Sequence, residues 1–371
     1  MALEKSLTFL LFILIGFLIR RSFTNKDQVN GIKNIILTIA LPATIFVALM
    51  GVEVELSMLL YPLLALGINL LLFAIMPLVL RLFDVAKNGR EARTLKLLLP
   101  SLAPGLSCFP FVLEFLGEEE LAMAALADVG NKVFVLIILY VIAMNMYLRT
   151  RGNTEGAATE SKLKSLVISL FKEPINLVMI TAILLLCLGF KLNTLPGFIA
   201  DAATRFGAMM TPLILLFIGL AVKVKKEKLG LLFGLLLSRA GITLLISAGI
   251  ILAFNITAPA MILLAVVFPL SSCSFWPFAH MSAFNAKEDK AKPFDLDLAL
   301  LVLALSLPLS TLLILGILAD GAAFASLPVI TGVGVALLAL GVLPALVKRI
   351  KWKISMRVEQ PLGNEVLKSV K

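Results

Sequence analysis

Leu99-Pro100-Ser101-Leu102-Ala103-Pro104-Gly105-Leu106-Ser107-Cys108-Phe109-Pro110-Phe111 and Phe268-Pro269-Leu270-Ser271-Ser272-Cys273-Ser274-Phe275-Trp276-Pro277-Phe278 are two apolar stretches cut by prolines. Proline has no backbone donor and its ring blocks the carbonyl one turn earlier, so each stretch predicts a helix broken midway. Around them 60% of residues are apolar and 15% charged, with a mean hydropathy of +1.04. Such a composition needs lipid as its solvent. In lipid, freed N–H and C=O groups are tolerated only where they face protein or a wet cavity. The chain therefore reads as an all-helical, polytopic membrane protein, with the two breaks marking where a solute meets polar groups.

A bilayer span takes about 20 mostly apolar residues. Such stretches fall at 5–20, 31–51, 56–80, 95–117, 119–148, 174–191, 198–222, 229–254, 258–285, 293–318 and 325–347, eleven in all. Basic residues alternate between the linkers. Arg20, Arg21, Lys26 and Lys33 come first, 52–57 has none, and Arg81, Lys87, Arg90, Arg93 and Lys96 follow. The alternation runs on to Lys348, Arg349, Lys351, Lys353 and Arg357. Basic linkers stay cytoplasmic, which predicts a multi-pass cell-membrane protein with its N-terminus outside and its C-terminus inside.

The same placement accounts for the net charge of +10 without nucleic acid as a partner. The three cysteines have no ligand spacing, the chain has one histidine, and no Gly-Lys-Ser/Thr phosphate loop occurs. No cofactor or metal is expected, and neither direct ATP drive nor an intramembrane enzyme has its residues.

The two halves match in order. Ile15-Gly16-Phe17 answers Leu188-Gly189-Phe190, Gly67-Ile68-Asn69-Leu70-Leu71 answers Gly241-Ile242-Thr243-Leu244-Leu245, and Ser107-Cys108-Phe109-Pro110-Phe111 answers Ser274-Phe275-Trp276-Pro277-Phe278. The first span runs inward and the sixth outward, so the expectation is an inverted repeat of five plus five spans with broken crossover helices in spans four and nine. Residues 1–148 are the first repeat, 149–173 a cytoplasmic linker, 174–318 the second, inverted repeat, and 319–371 an extra span and tail.

Leu41-Pro42-Ala43-Thr44-Ile45-Phe46, Leu99-Pro100-Ser101-Leu102-Ala103-Pro104-Gly105 and Ala127-Asp128-Val129-Gly130-Asn131 resemble the auxin efflux carrier family of bacterial and plant permeases. The likeness covers nearly the whole chain. It implies crossed broken helices in a moving transport bundle, a static scaffold that forms a homodimer, elevator-type alternating access, and organic anions as substrates. The eleventh span departs from that pattern. So do Ala103-Pro104-Gly105 and Phe268-Pro269-Leu270, which stand where plant carriers have an Asn-Pro-Asn type crossover. The bile-acid symporter fold shares the broken-helix design, and likeness to it would imply sodium coupling.

Ionisable and polar residues at bilayer depth supply the candidate site. The substrate set is Pro104, Gly105, Ser107, Asn131, Lys132, Pro269, Ser271, Ser272, Ser274 and Arg239, taking a small carboxylate. Arg239 is read either as a bidentate carboxylate ligand or as a cation snorkelling to the headgroups. Asp128 and Lys132, one turn apart, form either a structural pair or part of the site. Asp128 and His280 are the coupling candidates for a proton or sodium gradient, and Trp276 is placed in the site lining. Asp295 and Glu118 to Glu120 read as helix starts, and Asp201 with Arg205 as an interfacial pair.

Overall fold

The structure is a computed structural model that describes residues 2–23, 25–51, 58, 60–87, 89–150, 168, 174–221, 228–287 and 292–359. Among these residues it is all-helical, with no strand. Seven helices are long and apolar enough to cross a membrane. They are α2 (Asp27–Met50), α3 (Leu60–Leu82), α7 (Glu118–Thr150), α9 (Gly197–Leu220), α10 (Leu229–Ala253), α13 (Leu296–Ala319) and α14 (Leu327–Val347). The other four expected spans correspond to α1 (Ala2–Ile19), the shorter α8 (Pro174–Cys187), and two interrupted rods.

Both interruptions fall at the prolines. The first rod is α4 (Arg90–Leu98), then an unwound stretch from Leu99 to Ala103, then α5 (Pro104–Ser107) and α6 (Phe109–Phe115). The second is α11 (Pro259–Val267), an unwound stretch from Phe268 to Phe275, and α12 (Trp276–Asn285). The unwound stretches bond to one another. The Ala103 amide donates to the Ser272 carbonyl at 2.8 Å, the Ser272 amide to Ser107 Oγ at 2.9 Å, and the Ser274 amide to Ser101 Oγ at 3.0 Å. Backbone groups released by the prolines thus find partners inside the protein, as lipid requires.

Packing sorts the helices. α1 lies against α9, and α2 against α8 and α9, where Thr44 Oγ1 donates to the Ala40 and Gly207 carbonyls. A second group holds α3 against α7, both rods against α7 and α13, and the second rod also against α10. Outer faces carry residues such as Leu63, Phe198 and Leu188, which are 65%, 77% and 73% exposed and suited to lipid rather than water.

The eleventh span, α14, packs along α10 through a glycine seam. A Cβ on Gly241 would strike the Gly334 carbonyl, and one on Gly341 the Gly234 carbonyl. The glycines lie two turns apart on each helix, which lets the backbones touch.

The expected linker at 149–173 lies outside the described residues except for its first two residues and Ile168, as do residues 360–371 of the expected tail. The helix starts behave as read. Asp295 Oδ1 accepts from the Leu298 amide at 3.0 Å, and Arg205 Nε donates to Asp201 Oδ2 at 2.8 Å on the surface.

Candidate functional site

A cavity of about 320 Å³ lies between the crossover and the first group of helices, within the range of small-ligand sites. Its polar wall comes from both rods and from α7. Pro104 and Gly105 open α5, Ser272 and Ser274 belong to the second unwound stretch, and Asp128, Asn131 and Lys132 project from α7. Leu37, Leu41, Ile175, Phe217, Leu303 and Leu307 supply the apolar wall.

The α7 residues are held by a buried network. Lys132 Nζ lies 3.5 Å from Asp128 Oδ2 and donates to Asn176 Oδ1 on α8 at 3.1 Å. Asn131 Nδ2 donates to Asp128 Oδ1 at 2.8 Å and to the Leu102 carbonyl at 3.1 Å, while Asn69 Nδ2 donates to Asn131 Oδ1 at 3.0 Å. The i and i+4 spacing on α7 sets the ion pair, and the unwound stretch supplies an acceptor that an intact helix would have used itself. One side chain, Asn131, thereby ties α3, α7 and the first break together.

At the mouth stand residues that the sequence reading treated differently. Trp276 lines the cavity as expected, beside Phe275, and both are partly exposed. Lys33, read as a topology charge, also lines it and sits with Nζ 4.8 Å from the centre of the Phe275 ring, a cation–π distance. The signal for Lys33 was present as the spacing Lys33, Leu37, Leu41, which puts all three on one stripe of α2. A π-helical turn at Ile36–Ala40 precedes Pro42 on that stripe, and another at Phe134–Ile138 follows Lys132 on α7. Such wide turns recur at functional sites. Among the described residues the lining carries Lys33 and Lys132 against Asp128, two cations against one anion.

Five expected site residues lie elsewhere. Ser107 and Ser271 stay within the crossover: Ser107 Oγ donates to the Ala103 carbonyl at 3.0 Å and Ser271 Oγ to the Phe268 carbonyl at 2.6 Å. Pro269 borders a separate apolar cavity of about 70 Å³ between α3, α7, α10 and α11. His280 is buried, with Nε2 3.0 Å from the Val135 carbonyl, Tyr140 edge-on at 5.4 Å and Trp276 stacked at 6.5 Å. It does not line the cavity, but it touches two residues that do, Val135 and Trp276.

Arg239 is buried behind the wall, and neither of its expected readings describes its position. Its Nε donates to the Leu99 carbonyl at 2.6 Å, and Nη2 donates to the carbonyls of Ser101 at 3.2 Å and Ser271 at 2.8 Å. These bonds tie the guanidinium to main-chain oxygens of both unwound stretches, and Arg239 is not among the residues that line the cavity.

No family model matches the sequence. Over 246 residues the chain is 27% identical to an uncharacterized transporter of Methanocaldococcus jannaschii, a similarity that covers 64% of this chain and 74% of that protein.

Proposed function

We propose that this protein is a secondary transporter that carries a small organic anion, a carboxylate, across the cell membrane by alternating access. The observation that carries the reading is the cavity at the crossing of two broken helices, with Lys33 and Lys132 facing one acid, Asp128, among the described lining residues. A carboxylate entering it meets two ammonium groups against one carboxylate and the first turn of α12, where the positive end of the helix dipole favours anions. Likeness to an archaeal transporter supports the general class.

The packing supports an inverted repeat. Exchanging spans one and two for six and seven turns the α1–α9 contact into the α8–α2 contact, and both are present. In this reading α1, α2, α8 and α9 form the scaffold, and the remaining spans carry the site past it as an elevator. With basic linkers inside, Lys33 lies at the cytoplasmic end of α2, so the cavity mouth faces the cytoplasm. Drive comes from the membrane potential or from a proton taken by Asp128.

The test is uptake into proteoliposomes of labelled mono- and dicarboxylates under imposed pH and voltage gradients. Saturable uptake of at least one acid, lowered at least about tenfold in Lys132→Ala, which corresponds to about 1.4 kcal/mol, is expected. Transport confined to cations or neutral solutes would refute the anion reading, and ion currents of channel size would refute the carrier.

A further inference from the structure

Three backbone carbonyls, those of Leu99, Ser101 and Ser271, converge on one guanidinium. They come from different rods, and each follows a half-helix that ends at the crossover, α4 at Leu98 and α11 at Val267. The C-terminal end of a helix carries roughly half an elementary negative charge, so two such ends meet there. In transporters with discontinuous helices, half-helix C-termini and unwound carbonyls are what ligate a coupling sodium ion. Here the ligands are already occupied by a cation of the chain.

Arg239 is 2% exposed, and among the described residues no carboxylate forms an ion pair with it. A buried cation without an anion is costly unless dipoles compensate it. The three carbonyls and the two helix ends are that compensation. Its planar fork donates to both unwound stretches at once, which the three donors of a lysine ammonium match poorly.

We propose that Arg239 is a resident cation of the crossover, standing where unwound carbonyls would otherwise ligate a dissociable sodium ion, and that the crossover therefore takes up no sodium. The claim deepens the carrier reading, within which it removes sodium as the coupling ion at this point and leaves the negative ends of α4 and α11 neutralised in every state of the cycle. Substrate charge then meets Lys33 and Lys132 with Asp128 beside them.

The experiment uses purified full-length protein in detergent. Wild type should melt at the same temperature in sodium chloride and in choline chloride of equal ionic strength, and should bind no radiosodium saturably. Arg239→Ala should melt lower and regain most of the loss in low millimolar guanidinium chloride, but not in equal urea, which has a similar shape and no charge. Arg239→Lys should melt between the two. Saturable sodium binding or sodium-specific stabilisation of wild type overturns the proposal, as does equal rescue of Arg239→Ala by urea. Should Arg239→Ala fail to fold, the wild-type sodium measurements and Arg239→Lys decide. Failure of carboxylate uptake alongside the expected ion pattern would sink the carrier reading and leave the resident cation standing, and sodium binding alongside uptake would do the reverse.

Discussion

Replacing Asp128 by Asn removes the one anion among the described residues of the cavity wall while keeping its shape. Lys132 and Asp128 side chains are 7% and 6% exposed and 3.5 Å apart, so at an effective dielectric of about 20 their attraction is about 5 kcal/mol, before desolvation is subtracted. Breaking such a pair from one side costs about 3–5 kcal/mol because the other charge stays buried. Lys132 keeps its bond to the neutral Asn176 oxygen, and Asn131 loses a charged acceptor for its amide. Lys132→Met should cost a similar amount by stranding Asp128. The double variant should cost less than either single variant, giving a coupling energy of at least about 3 kcal/mol. Unfolding of the four proteins in mixed micelles, followed by loss of helical signal, measures the cycle. Single variants within about 0.5 kcal/mol of wild type with no coupling would mean that the pair is hydrated, and the placement of a dry network behind the cavity would fall.

Lys33→Ala should raise the half-saturating carboxylate concentration about tenfold, the loss of about 1.4 kcal/mol from one charged contact, with unchanged folding, and an unchanged half-saturation would take Lys33 out of the site. Gly241→Leu should destabilise the protein by about 1–3 kcal/mol through overpacking, since its side chain meets the Gly334 carbonyl, whereas Gly316→Leu, with open space at its Cβ, should be near neutral in the same melting assay. Trp276→Cys should react with a charged thiol reagent from the side bearing the basic linkers, and Leu312→Cys, exposed on a helix face suited to lipid, should not. Equal labelling of both, or labelling of Trp276→Cys from the opposite side only, would contradict the cavity's orientation.

The spans were legible because length and apolarity are properties of residue type. So were the breaks, since Pro100, Pro104 and Pro269 act on the backbone wherever they stand. Asp128 and Lys132 were legible as a pair because helix geometry alone brings i and i+4 together. Lys33 was not. Its position among basic linker residues hid the fact that it shares a helix face with Leu37 and Leu41, and facing is decided by tertiary packing.

Arg239 exposes a different limit on reading function from residue types. Its place midway along α10 and its burial are what the structure shows, and a buried guanidinium does need acceptors. The acceptors are main-chain oxygens of Leu99, Ser101 and Ser271, which no side-chain inventory contains, and they become available only because both rods unwind. A broken helix in lipid therefore creates two demands at once. Its free N–H groups favour an anion on one side, and its free carbonyls favour a cation on the other. In this protein the chain meets the second demand with Arg239 and much of the first with the hydroxyls of Ser101, Ser107 and Ser306, so what the cavity leaves open is the charge of Lys33 and Lys132 beside Asp128.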